Sequence, residues 1–287
     1  MKPRILMCPP EHFDVRYVIN PWMEGQGARL RPELAWTQWR NLRDAVAKCA
    51  DIALIEQARG WPDMTFTANA GLVFKREVVM SRFRHPERQG EEPCFAAWFR
   101  RAGLDVVTPP ADLAFEGAGD ALLDRGEPLL WMGYGHRTDA RAAHLLEREL
   151  GIEVVPLRLV DPRFYHLDTC FCPLERGHLL YYPAAFDVAS NRSIETRVPQ
   201  SRRVAVTEED AVAFACNAVN LGDKVILNAA SESLARTLAS RGFLLQRVPL
   251  GEFMRAGGAA KCLTLRLDES GDAAGRRETG TLVAEAA

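Results

Sequence analysis

A chain of 287 residues with 47% hydrophobic, 26% charged and 8% aromatic residues is long enough for one large or two small domains of roughly 100–200 residues each. Its composition is that of a folded globular protein and excludes wholesale disorder, a collagen-like repeat and a coiled coil. Thirty-six Lys and Arg against 38 Asp and Glu leave a formal charge of −2, so no charge excess points to nucleic acid or an anionic membrane, and a small molecule is the expected partner.

Short apolar runs bounded by Gly and Pro, and helical patterns between them, follow one another along the whole chain. The spacing predicts a strand at 5–8, a helix at 33–50 and strands at 52–55, 72–74 and 78–80. A helix at 92–102 and strands at 106–107 and 129–132 come next, then a helix at 138–150 and strands at 154–159, 179–182 and 204–206. Helices at 209–216 and 231–241, capped by Thr207 and Ser231, alternate with strands at 225–227 and 243–248, and a last strand is expected at 263–267. The recurrence at about fifty residues hints at internal repeats. With no Ser/Gly-rich linker, one α/β domain is expected over 1–268, followed by a loose polar tail at 269–287. Seven scattered cysteines do not make a secreted disulfide framework. The apolar start is too short for a signal-peptide core and no stretch approaches 18 apolar residues, so a cytoplasmic location is expected.

Three stretches carry candidate chemistry. In Lys261–Asp268 strict alternation places Cys262, Thr264 and Arg266 opposite three leucines, and Gly257-Gly258 just upstream lets a ligand approach the thiol closely. A lone cysteine is more often a small buried hydrophobe than a nucleophile, so its surroundings must decide. In Phe164–Cys172 an extended backbone puts His166 and Asp168 on one face, a base beside a carboxylate suited to a cationic substrate, or else a structural pair. His166, Cys170 and Cys172 also share that face, but without a second ligand pair zinc is set aside. In Trp61–Gly71 alternation gives a polar face of Asp63, Thr65, Thr67 and Asn69. Glu116 lies among small residues in FEGAGD, which alone reads as a surface turn. Arg88 and Arg137 fall on expected loops, where an arginine grips a carboxylate bidentately. No phosphate loop or dinucleotide fingerprint is present, so no cofactor is demanded.

In order, PDMTFTANAG, FEGAGD, GYGHRT, FYHLDT and GGAAKCLTL resemble the motifs of the guanidino-modifying superfamily of arginine deiminases, dimethylargininases and amidinotransferases. The match covers about residues 1–268 and implies a five-bladed α/β propeller. By that resemblance Cys262 is the nucleophile, His166 the general acid/base, Glu116 its partner, and Asp168 a carboxylate on the guanidinium. Asn69 departs from the deiminases, which carry aspartate there. It resembles, with the N-terminal CPPEHFDVRYVINPWMEG, the arginine dihydrolase branch, which converts arginine to ornithine, carbon dioxide and two ammonia. The same resemblance makes Asn20, Asp63, Arg88 and Arg137 substrate contacts, the arginines serving the α-carboxylate. The implied activity is cofactor-free hydrolysis of L-arginine. Dimethylargininase, a deiminase stopping at citrulline, an amidinotransferase and a non-catalytic guanidino sensor are the alternatives, and the oligomeric state, a homo-oligomer included, stays open.

Overall fold

The computed structural model describes residues 2–270, and residues 271–287, most of the expected tail, lie outside them. The described chain forms five three-stranded sheets of one internal plan. In order the strands are β1 Arg4–Met7, β2 Asp51–Leu54, β3 Gly71–Phe74, β4 Glu77–Met80, β5 Asp105–Val107, β6 Ala121–Leu123, β7 Leu129–Tyr134, β8 Glu153–Arg158, β9 Phe171–Leu174, β10 His178–Tyr181, β11 Arg203–Ala205, β12 Val219–Leu221, β13 Lys224–Leu227, β14 Leu244–Arg247 and β15 Leu265–Arg266. The helices are α1 Pro32–Ala47, α2 Pro86–Gln89, α3 Glu91–Arg101, α4 Ala142–Leu150, α5 Val188–Arg197, α6 Glu208–Val212, α7 Glu232–Ser240 and α8 Gly251–Met254.

In each sheet a short first strand pairs antiparallel with a central strand, and a helical crossover returns the chain to a third strand parallel to the centre, as in β3, β4 and β5. The fifth sheet joins the two ends of the described chain, since β15 pairs antiparallel with β1 and β1 parallel with β2. Central strands are buried on both faces, so they read as unbroken apolar runs; Leu130, Trp131 and Met132 of β7 are at most 1% exposed, each contributing roughly 1.5–3 kcal/mol of burial. Outer strands such as β2 and β14 are exposed at their ends.

The expected strands are found within a residue or two, except that 263–267 shrinks to β15, and the expected fifty-residue recurrence is the repeat of the sheet unit. Three strands escaped the sequence reading: β6, β9 and β12 are only three or four residues long and follow directly on buried turns. Helix α5 escaped too, because only Ser190 and Ile194 of its ten residues are buried. The helix expected from 138 starts at Ala142, since the Thr138 side chain is committed to tertiary bonds. The one expected over 209–216 stops at Val212, where Phe214 turns left-handed at φ 59°. The caps at Thr207 and Ser231 form, each side-chain oxygen accepting from the backbone N–H three residues on. Glu269, first residue of the expected tail, accepts two hydrogen bonds from Arg125 at 2.6 and 2.7 Å. No helix among the described residues is long and apolar enough to cross a membrane.

Candidate active site

The first strands of the five sheets begin at residues 71, 121, 171, 219 and 265, and the turn entering each delivers the candidate chemistry. Glu116 and His166 each stand five residues before their strand, Asp168 and Cys262 three before, Asn69 and Asn217 two before. The repeat therefore brings groups scattered over two hundred residues of chain to one place.

The extended stretches expected at 61–71, 164–172 and 261–268 are corrected here. Pro62–Thr65, Thr67–Ala70 and Leu167–Thr169 are 3-10 turns, and Cys262 sits in a turn closed by Leu263 N–H on the Ala259 carbonyl and Thr264 N–H on the Lys261 carbonyl. Buried backbone needs polar partners, and the alternate polar residues of these turns supply them to the neighbouring strand: Thr65 and Thr67 donate to the carbonyls of Cys8 and Leu6, at and just beyond β1. His166 and Asp168 consequently do not share a strand face but meet different partners.

His166 is 1% exposed and its Nε2 lies 2.7 Å from Glu116 Oε2. The same carboxylate oxygen accepts from Arg137 Nη1 at 2.9 Å, and Oε1 accepts from the Arg84 N–H at 3.2 Å. Burial opposes the Glu116 charge, but Arg137 and the His166 bond hold its carboxyl far below the usual carboxylate range. Burial pulls His166 down to about 4, against the Glu116 hydrogen bond and charge. At neutral pH the pair is therefore a carboxylate accepting from a neutral imidazole, with the proton on Nε2 and Nδ1 free to act as base.

Cys262, 2% exposed, lies 3.5 Å from both Asp168 oxygens and accepts a hydrogen bond from Asn217 Nδ2 at 3.0 Å. Burial first and Asp168 second push its thiol well above the ordinary cysteine value. Burial likewise lifts Asp168 up to about 6, although Lys261, Cys262 and Asn217 work against it. A resting thiol beside a carboxylate that has no salt bridge among the described residues is the electrostatic complement of a missing cation.

A small cavity opens onto Cys262 and is lined by Asn20, Asp63, Asn69, Arg88 and Arg137 among others. Six of the nine expected site residues meet there, with His166, Glu116 and Asp168 packed against them. Gly257 takes φ 85°, and a Cβ on it would lie 2.8 Å from both Asn20 Oδ1 and the Tyr165 hydroxyl, which accounts for glycine at this wall. Asp63 accepts from Tyr17 at 2.9 Å through Oδ2, while its Oδ1 is buried without a partner among the described residues. Burial raises its carboxyl despite Arg88 and Tyr17.

Arg137 lies on a loop as expected and Arg88 does not, and both are buried. Arg88 sits on α2, 3% exposed, bonded twice to Glu91 and once to Asn69 Oδ1 at 2.9 Å. Arg137 is 2% exposed, stacked 4.6 Å over Tyr165 and bonded to the Ile19 carbonyl besides Glu116. The FEGAGD turn is buried rather than at the surface. Asn69 donates to the Glu116 carbonyl at 3.1 Å, and Asn20 donates to the Ala256 carbonyl while capping the Trp22 N–H. Cys170 and Cys172 are core residues with thiols on backbone carbonyls, and among the described residues no group of three or more metal-ligating side chains is gathered. A second cavity, lined by the first strands of all five sheets together with Arg125, Lys261, Arg266 and Glu269, contains none of the nine residues.

Sequence reading missed Asn217, Tyr17, Tyr165, Glu91, Asp120 and Thr138. Only Asn217 had a visible signal, because Cys216-Asn217-Ala218 before β12 repeats Ala68-Asn69-Ala70 before β3.

The family profile described as "N,N dimethylarginine dimethylhydrolase, eukaryotic" matches residues 24–268. The bifunctional arginine dihydrolase/ornithine cyclodeaminase ArgZ of Synechocystis sp. is 58% identical over 93% of this chain, which spans 38% of that protein. The N(G),N(G)-dimethylarginine dimethylaminohydrolase of Mycobacterium tuberculosis is 40% identical over 92% of this chain and 85% of its own. Among solved structures, the N-terminal domain of ArgZ, as a cysteine-to-serine mutant bound to substrate, superposes with a TM-score of 0.93 at 57% identity, over 93% of this chain and 99% of that one.

Proposed function

We propose that this chain, which belongs to the N,N-dimethylarginine dimethylhydrolase family, is a cysteine-dependent hydrolase that converts L-arginine to ornithine, carbon dioxide and two ammonia. The observation that carries it is the pairing of the Cys262 thiol with the Asp168 carboxylate, which has no salt bridge among the described residues, beside a cavity lined by Cys262, Asn69 and Asp63, whose Oδ1 is buried without a partner among those residues. A planar cation satisfies both carboxylates at once, and a guanidinium does so with N–H groups in a fixed fork. The ArgZ relative, an arginine dihydrolase, supports arginine as that cation.

A guanidinium carbon is a poor electrophile, so attack requires thiolate. The resting imidazole is neutral, so the bound guanidinium is the cation that lowers the Cys262 pKa. The thiol proton passes to His166, whose imidazolium is held by the ionised Glu116. The sulfur bonds to the guanidino carbon, and the imidazolium returns that proton to the departing nitrogen as the C–N bond breaks, releasing ammonia and leaving an S-alkylthiouronium. His166, neutral again, takes a proton from water, the hydroxide adds, and the C–S bond breaks as the proton returns to sulfur. The product is citrulline. A second round on its ureido group releases ammonia and a carbamate that falls to ornithine and carbon dioxide, so one arginine and two waters balance the products. Asn69 suits both rounds, because an amide accepts from a guanidinium and donates to a ureido oxygen.

Around this site we place the five sheets as blades of a pseudo-fivefold propeller, a catalytic unit ending near Asp268 and a cytoplasmic location. We also place the substrate α-carboxylate at Arg88 and Arg137, near Asn20. The M. tuberculosis relative favours a second reading, in which methylated arginine is hydrolysed to citrulline and a methylamine by the same steps. Cys262→Ser tests the mechanism: the variant should bind L-arginine by calorimetry with near wild-type affinity and release no ammonia, whereas full turnover would sink the covalent route.

A further inference from the structure

We propose that Asn217 is a further catalytic residue of this site, the hydrogen-bond donor that stabilises the Cys262 thiolate; this rests on the reading of Cys262 as nucleophile. The Asn217 side chain is fully buried, and all of its polar capacity is directed. Its Oδ1 accepts from the backbone N–H groups of Ala259 at 3.1 Å and Cys262 at 3.2 Å. Its Nδ2 donates to the Asp168 carbonyl at 2.9 Å and to Cys262 Sγ at 3.0 Å. These partners fix which end of the amide is which: a flipped side chain would press an NH₂ against two N–H donors and an oxygen against a carbonyl. The donor end must therefore face the sulfur.

The sulfur's other side-chain neighbours within hydrogen-bonding distance among the described residues are the two Asp168 oxygens, which accept and so favour the thiol. A thiol is a weak acceptor and a thiolate a strong one, so a bond from Asn217 strengthens as the proton leaves. That is the behaviour required of a group that lowers the cost of the attacking form. The geometry also explains why an amide and no cation stands there, since a lysine or arginine at 217 would neutralise Asp168 before substrate arrived. Position 217 is repeat-related to Asn69; one amide position of the fold thus serves the nucleophile in one sheet and the ligand cavity in another.

The test separates donation from mere support of the turn by the sign of one rate. Alkylation of Cys262 by iodoacetamide at pH 8, followed by mass spectrometry of its peptide, reads the thiolate fraction without substrate. Loss of the donor lowers that rate, whereas a loosened turn exposes the thiol and raises it. Asn217→Asp keeps an acceptor for both backbone N–H groups, removes the donor and sets a carboxylate oxygen against the sulfur, so it reads the loss of the donor where Asn217→Ala collapses. The expected result is an alkylation rate about tenfold lower in Asn217→Ala and lower still in Asn217→Asp. A fall in kcat of about a hundredfold, the scale of losing one preorganised donor, should accompany it and exceed the change in KM. An unchanged or faster alkylation in a folded Asn217→Asp, or failure of both variants to fold, would overturn the assignment. Because the thiol assay contains no arginine, it is independent of the substrate reading, and activity surviving in Cys262→Ser would mark failure of the reading of Cys262 as nucleophile instead.

Discussion

Replacing Glu116 by Gln removes one charge from the middle of a buried chain of partners, and its consequences for catalysis and for stability have different sources. The carboxylate accepts from His166, Arg137 and the Arg84 N–H, whereas an amide offers one oxygen and turns an NH₂ toward a donor. The His166 imidazolium formed during attack then loses a charge-assisted bond of about 1.5–3 kcal/mol. At 1.36 kcal/mol per decade, kcat should fall by about 10- to 150-fold with KM little changed. Separately, Arg137, 2% exposed, keeps only a carbonyl and the Tyr165 ring. A buried charge stripped of its partner costs about 3–5 kcal/mol, which urea denaturation will read directly. Adding Arg137→Met to Glu116→Gln removes the stranded guanidinium, so the double variant should regain most of the stability and none of the rate. A kcat within threefold of wild type in Glu116→Gln, or a double variant no more stable than the single one, would refute this division.

Asn69→Asp should move the products of arginine from ornithine toward citrulline, because a carboxylate loses the donor to the Glu116 carbonyl and to a ureido oxygen while gaining charge against Arg88; an unchanged product ratio by mass spectrometry counts against that role. Asp168→Asn should abolish turnover yet stabilise the protein. A carboxyl raised from 3.8 to about 6 binds its proton more tightly folded than unfolded. Its penalty is therefore absent below about pH 4, grows as pH rises from 3.8 to 6, and is constant above. Removing it is worth at most about 3 kcal/mol at pH 7.5, and urea melts of variant and wild type should converge at pH 3.5. A gain of equal size at both pH values would show that it does not come from ionisation.

Much of this site was legible because Cys262, His166 and Asp168 stood out as residue types, and Glu116 was added by the ordered motifs that resemble the guanidino-modifying superfamily. The offsets from the first strands that gather them were not legible, since β6, β9 and β12 escaped the sequence. Their local conformation was not legible. Alternation of polar and apolar residues at 61–71 and 164–172 has the period of a strand, but those polar groups are consumed by tertiary partners in buried 3-10 turns, as Thr65 and Thr67 illustrate. Burial of Arg88 and Arg137 was likewise invisible, because it depends on Glu91 and Glu116 reaching them in space. Asn217 carries neither charge nor nucleophile; its one signal is the likeness of Cys216-Asn217-Ala218 to Ala68-Asn69-Ala70, and its four hydrogen bonds exist only in the folded chain. Helix α5 was missed for the opposite reason, since it buries so little that it shows no apolar stripe.

The most direct measurement is to incubate the purified protein with L-arginine, without added metal or nucleotide, and quantify ornithine, citrulline and ammonia over time. Two ammonia per ornithine, with citrulline appearing only transiently and no urea, is the result expected of two rounds at Cys262. Stoichiometric citrulline with one ammonia, or turnover confined to methylated arginine, would contradict it.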